Sequence, residues 1–132
     1  MLDCLIVGDS IGVHLSRYLR KCDAVVESGI TSGNWDRKYP NKLVKKTVIV
    51  SLGSNDWNSV ETVQALRRIN KRIYADKVFF ILPVREDKQA GVVTAVKEKG
   101  ATLVTFTHVM QDKIHPSTHG IYEIISQIKG QE

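Results

Sequence analysis

Proline and cysteine are both scarce in this chain, with three prolines and two cysteines in 132 residues. Nothing reads as a linker, a repeat or a second domain, and the expectation is one domain over residues 1–132 with one core. Cys4 and Cys22 stand in no metal-ligand spacing, so no metal is expected. The two are read as buried free thiols, Cys4 in the first apolar run and Cys22 at the end of the next helical stretch. Long hydrophobic runs are missing too. No stretch approaches a membrane span of about 20 residues, and no membrane partner is expected. The opening MLDCLIVGDS sets Asp3 and Asp9 around a very short apolar run, unlike the basic start and longer apolar segment of a secretory leader. The location this implies is cytoplasmic.

Charge of one sign is in modest excess. Nineteen Lys and Arg against 14 Asp and Glu leave a net charge of +5. That permits contact with nucleic acid or another polyanion, but the basic residues are dispersed. The densest group is RRINKR, with Arg67, Arg68, Lys71 and Arg72. It lies on a helical stretch whose apolar residues take the other face, which describes a solvated surface better than a nucleic-acid footprint. Hydrophobic content of 42% and charged content of 25% suit an ordinary soluble core.

Five β-branched apolar runs recur: CLIVG, AVVES, TVIVSL, KVFFIL and TLVTF. Continuous runs of this kind fit strands buried on both faces of a parallel sheet. Helical stretches fall after the first, third, fourth and fifth runs, so the pattern predicts an α/β layer sandwich. The first helix is expected over 11–22, with Ile11, Leu15, Tyr18, Leu19 and Cys22 on one stripe. Asn58, with Glu61 in a capping-box spacing, opens a second, on which Val60, Val63, Leu66, Ile69 and Ile73 recur near the helical period. Asp87 is expected to cap a third that leaves at Gly100. Ser117 or Thr118 caps the last, which carries Ile121, Ile124, Ile125 and Ile128. Residues 31–45 show no clear period.

In open parallel sheets, sites form at the carboxyl ends of the strands. Those ends carry GDS, ESGITSG, LGSND and LPVRED, and after the fifth run comes HVMQDKIHPSTHG. Ser10 fits a helix cap, as does Asp9. GDSIG also fits the G-x-S-x-G elbow, although such elbows follow several strands of a larger sheet and here one strand precedes. A serine hydroxyl acting as nucleophile needs a base. His115 can accept its proton near neutral pH, and Asp112, three residues earlier, can orient the imidazole and stabilise its cation. His108 and His119 have no carboxylate at that spacing and read as packing or surface residues. Asn55 fits an Asx turn, or a donor aimed at a developing oxyanion. Trp35 and Trp57 lie near this edge and could stack on a sugar or pack against loops. Arg85 suits an anionic group or a surface ion pair with Glu86 or Asp87.

In combination and in this order, GDS, the glycine-containing turn, GSND and DKIHP resemble the SGNH hydrolases, also called GDSL esterases and lipases, over nearly the whole chain. The resemblance implies a flavodoxin-like three-layer sandwich with about five parallel strands. It implies Ser10 as nucleophile, His115 as base and Asp112 as its partner. It implies an oxyanion hole from the Ser10 N–H, Asn55 and an amide of the 29–33 turn. Gly29 and Gly33 are the glycines there, spaced one residue wider than in the family, and an ungapped match puts the Ser32 amide at that place. The implied activity is hydrolysis of an ester with no cofactor, on a small-molecule or carbohydrate carrier. Short loops and the lack of a long apolar lid favour a small acyl group such as acetyl. The family's substrates are diverse, and fold and triad do not choose among them. The alternative is a flavodoxin-like binding module without catalysis, contacting a polyanion through its basic helix.

Overall fold

The structure, a computed structural model, describes residues 3–131. In chain order the main elements are β1 (Cys4–Gly8), α1 (Ser10–Ser16), β2 (Asp23–Val26), α2 (Ser32–Lys38), β3 (Leu43–Val44), β4 (Thr47–Ser51), α3 (Ser59–Asn70), β5 (Ile73–Tyr74), β6 (Lys77–Ile81), α4 (Ala90–Lys99), β7 (Thr102–Val104) and α5 (Thr118–Gly130). Five strands form one parallel sheet in the order β2-β1-β4-β6-β7. Counting only those five, the order is 2-1-3-4-5, the flavodoxin-like winding. The five apolar runs supply these five strands.

Successive strand residues face opposite sides, and both sides are covered. Leu5, Val7, Val48, Val50 and Phe80 pack with Trp35, Leu66, Ile69 and Val92 on the side of α2, α3 and α4. Ile6, Ile49, Phe79 and Ile81 pack with Ile11, Leu15, Ile121 and Ile124 on the side of α1 and α5. This is the three-layer sandwich. It also explains why the runs are continuously apolar rather than alternating.

The helix ends follow local chemistry. The Asn58 side chain accepts from the Glu61 N–H at 2.9 Å, Ser117 accepts from the Gly120 N–H at 3.2 Å, and Gly100 closes α4 in a left-handed conformation with φ 72°. Other boundaries differ from the sequence reading. α1 stops at Ser16 and the chain continues in turns through Leu19 and Cys22, which leaves Tyr18 exposed. Val60 faces outward, 65% exposed. Asp87 does not cap α4. It pairs with Arg85 instead, and the first residues after Arg85 form a short 3₁₀ turn, Glu86–Lys88. The stretch at 31–45 holds α2, capped by Thr31, and β3, whose two residues pair with β5. Seven residues make fewer than two helical turns, too few to display a period.

The free-thiol reading of the cysteines is overturned: Cys4 and Cys22 form a disulfide, with Cα atoms 4.7 Å apart. The cause is register. Leu5 pairs with Asp23 across β1 and β2, so the residues one step earlier on each strand meet side by side. The bridge closes a segment with a sequence separation of 18. A loop of that size restricts the unfolded chain by about 3 kcal/mol. Denaturant unfolding with and without reductant should therefore show the reduced protein less stable by about that amount. Equal midpoints would mean that the bridge adds nothing to stability.

Candidate active site

Gly8 ends β1 pressed against β4. A Cβ there would lie 2.3 Å from the Ser51 carbonyl oxygen, so only glycine fits. That oxygen accepts from the Asp9 N–H at 2.9 Å, and the chain turns directly into α1. Asp9 caps the helix, its Oδ1 accepting from the Ile11 N–H at 3.0 Å and from the Ser51 hydroxyl at 3.3 Å. Ser10 is the first residue of α1, where backbone N–H groups lack carbonyl partners within the helix.

The Ser10 hydroxyl meets a ring from the far end of the chain. Ser10 Oγ lies 2.7 Å from His115 Nε2, and His115 Nδ1 lies 2.5 Å from Asp112 Oδ2. Asp112 also shapes its own turn. Its Oδ1 accepts from the N–H groups of Ile114 at 2.9 Å and His115 at 3.0 Å. Between Asp112 and Ile114, Lys113 adopts φ 59°, the left-handed region that side chains avoid. The backbone amides of His115 and Ile114, then the imidazole, hold the Asp112 carboxyl down at about 2. It is a carboxylate throughout the physiological range. Gly120 packs so closely on the His108 carbonyl that a Cβ would stand 2.2 Å away, which holds the start of α5 against the loop that carries His115.

Two further loops meet at the same sheet edge. Asn55 donates from Nδ2 to the Ile30 carbonyl at 3.1 Å, which leaves the second hydrogen of that amide to give. The Ser32 N–H donates to Asp56 Oδ1 at 2.8 Å, so the Ser32 amide is committed elsewhere. Gly29 occupies a turn with φ 78°. Gly33 is the second residue of α2, where an N–H is again without an intrahelical acceptor. Asp56 was not singled out by sequence. It is buried and also accepts from the Thr62 hydroxyl at 2.7 Å, tying both loops to α3. The GSND motif held the signal, one residue beyond Asn55.

The structure decides between the alternatives at this edge. Trp35 is fully buried, and its Nε1 donates to the Val25 carbonyl, so it cannot stack on a ligand. Trp57 is 86% exposed. It borders a polar cleft of about 300 Å³ together with Gly33, Asp56, Glu61 and Gln64. Arg85 forms the ion pair with Asp87. His108 does have a carboxylate, from Glu123 across the loop at 2.8 Å, and its ring meets that of His119 edge-on. Arg67, Arg68 and Arg72 of the basic helical stretch are tied to Glu98 and Asp36. His14, also not singled out, stacks on His115 with centroids 5.7 Å apart.

Asp9 is 1% exposed, and its Oδ2 is buried without a hydrogen-bond partner. Burial pushes its carboxyl up to about 6, against the opposing pull of the Ile11 amide. The folded protein thus holds this proton more tightly than the unfolded chain does. Asp9 contributes stability below about pH 4 and loses it as pH rises through about 6. Across that window the stability of Asp9→Asn relative to wild type should climb by up to roughly 3 kcal/mol, at about 1.4 kcal/mol per unit. Denaturant melts of both proteins at pH 4 and pH 7 check this. A constant difference would show that Asp9 titrates like an exposed carboxyl.

No family model matches the sequence, and a search of curated proteins finds no match. Solved structures do match. A candidate acylhydrolase from Bacteroides fragilis superposes with a TM-score of 0.65 at 13% identity, over 97% of this chain and 86% of that one. The catalytic domain of peptidoglycan O-acetyltransferase A from Streptococcus pneumoniae, solved with a methylsulfonyl adduct, gives 0.61 at 15% identity, over 96% and 90%. A candidate lipase from Chitinophaga pinensis gives 0.53 at 15% identity, over 92% and 81%. At this level of identity the likeness establishes architecture, and the chain is built on the same α/β sandwich as these three proteins.

Proposed function

We propose that this chain is a single-domain serine esterase of the SGNH type, which hydrolyses a small acyl ester through an acyl-enzyme. The observation that carries the reading is the hydrogen-bonded series Ser10 Oγ, His115 Nε2, His115 Nδ1, Asp112 Oδ2 at the carboxyl edge of the sheet. A cap needs none of it, because Asp9 already caps α1.

In the proposed reaction His115 Nε2 takes the Ser10 proton as Oγ bonds to the acyl carbon. Asp112, a carboxylate at working pH, fixes the tautomer and balances the imidazolium. The carbonyl oxygen becomes an oxyanion, which the Ser10 N–H, the Gly33 N–H and the second Asn55 amide hydrogen would receive. Gly33 is favoured over Gly29 because its amide stands in the first turn of α2. The imidazolium then protonates the leaving alcohol. Water, deprotonated by the same ring, releases the acid and frees Ser10.

The fold shared with proteins named for acyl hydrolysis, lipolysis and acetyl transfer supports ester chemistry of this kind. The polar cleft at Trp57, bordered by Gly33, supports a small acyl group such as acetyl, carried on a small molecule or carbohydrate. The Cys4–Cys22 bridge supports work in an oxidising compartment rather than in a reducing cytoplasm.

Ser10→Ala should lower turnover of p-nitrophenyl acetate by about a thousandfold or more while the fold is retained. A fluorophosphonate should add to Ser10, as read by peptide mass. Unchanged turnover in the variant would remove Ser10 as nucleophile. Asn55→Ala should reduce kcat much more than it raises KM, at a cost of roughly 2.7–4 kcal/mol in the barrier. A rise in KM alone would make Asn55 a substrate-contacting or turn residue.

A further inference from the structure

A groove of about 640 Å³ opens beside His115, between the end of α1 and the start of α5. Its polar wall is His14, Arg17 and Arg20, and its floor includes Tyr18, Met110 and Ile121. No acidic side chain lines it. Elsewhere in the described residues, Arg67, Arg68, Arg72 and Arg85 each bind a carboxylate, and Arg37 binds the Asn34 side chain. Arg17 and Arg20 form no such pair there, although both are exposed and near the proposed centre. Asp112, the carboxylate whose charge reaches His14, is held by His115.

Arg17 follows the last residue of α1, where a cation complements the helix dipole. That accounts for one charge. It does not account for Arg20, three residues on in the turn, or for the lack of any acid in the groove. His14 shares the same field. Burial first, then Arg17 and His115, with Asp112 opposing, keep its imidazole below the usual range. The ring, stacked on His115, thus favours its neutral form, and beside it stand two guanidiniums without an ion-pair partner among the described residues. Guanidinium groups recognise carboxylate, phosphate and sulfate by paired N–H donors.

We propose that this groove binds an anionic group on the carrier of the ester, with Arg17 and Arg20 as the recognising cations. The apolar floor would hold the body of the carrier, and the ester would extend past His14 to Ser10. In calling the ligand a substrate, the proposal rests on the esterase reading; anion binding by the groove does not.

The test uses amides, which occupy the site without turnover. Acetanilide, 4-acetamidobenzoate and 4-acetamidophenyl phosphate are titrated calorimetrically into wild type and into the Arg17→Gln/Arg20→Gln double variant. Both positions are exposed, and circular dichroism checks that the variant is folded. Wild type should bind the charged probes about tenfold or more tightly than the neutral one, with the advantage shrinking as salt rises. The double variant should bring that ratio close to one. The carboxylate and phosphate arms tell which anion fits. No binding of either charged probe, equal binding of charged and neutral probes, or a preference that survives the double variant would overturn the proposal. Turnover of 4-acetoxybenzoate against phenyl acetate is measured separately. If neither ester is cleaved while the amide preference holds, the esterase reading falls and the anion site stands.

Discussion

The contact between Gly8 and the Ser51 carbonyl is the constraint on which the site depends. It brings the end of β1 against the end of β4 more closely than any side chain would allow. It lets the Asp9 N–H reach that carbonyl, and it turns the Asp9 carboxyl down toward Ser51 and Ile11. The next residue then begins a helix with its hydroxyl above the sheet. Two central strands, one glycine and one buried acid thus determine where Ser10 stands. The disulfide at the other end of β1 fastens the same strand to β2.

Around that fixed point the remaining groups come from loops that brace one another. Asp56 joins the Ser32 amide to Thr62 of α3, and Asn55 joins the carbonyl of Ile30. The walls of the polar cleft are therefore tied to the scaffold. On the other side, Asp112 collects three hydrogens of its own turn and presents His115. These are short-range polar networks, worth most where every member has a partner. The groove at Arg17 and Arg20 differs, because its charges have no ion-pair partner among the described residues.

Much of this was legible in the sequence, for identifiable reasons. The central strands β1 and β4 were visible because burial on both faces makes a strand apolar at every position, as in Leu5-Ile6-Val7, and the less buried edge strands β2 and β7 through their β-branched residues. The caps at Asn58, Ser117 and Gly100 act over two or three residues, and local reading suffices there. The order of GDS, GSND and DKIHP pointed to one edge of the sheet, where the structure brings Ser10, His115 and Asp112 into contact. The features that escaped depend on neighbours distant in sequence. The pairing of Cys4 with Cys22 requires the β1–β2 register. Trp35 and Trp57 have the same side chain, and only the path of the chain buries one and exposes the other. The Glu123 partner of His108 lies 15 residues away on a helix. Seven-residue α2 was too short to declare itself.

The separation of Ser10 and His115, 105 positions along the chain, ties the proposed reactivity to the completed fold. β1 must find β4 before the serine turn is held, and the imidazole arrives only with the loop that opens α5. Until that last contact closes, Ser10 is an ordinary alcohol with no base beside it. On the proposed reading, a chain still emerging from synthesis, or one opened at the loop before α5, would be chemically silent toward esters. A contact between residues so distant in sequence adds to the contact order that slows assembly, and on the same reading it would restrict the chemistry to molecules that have finished folding.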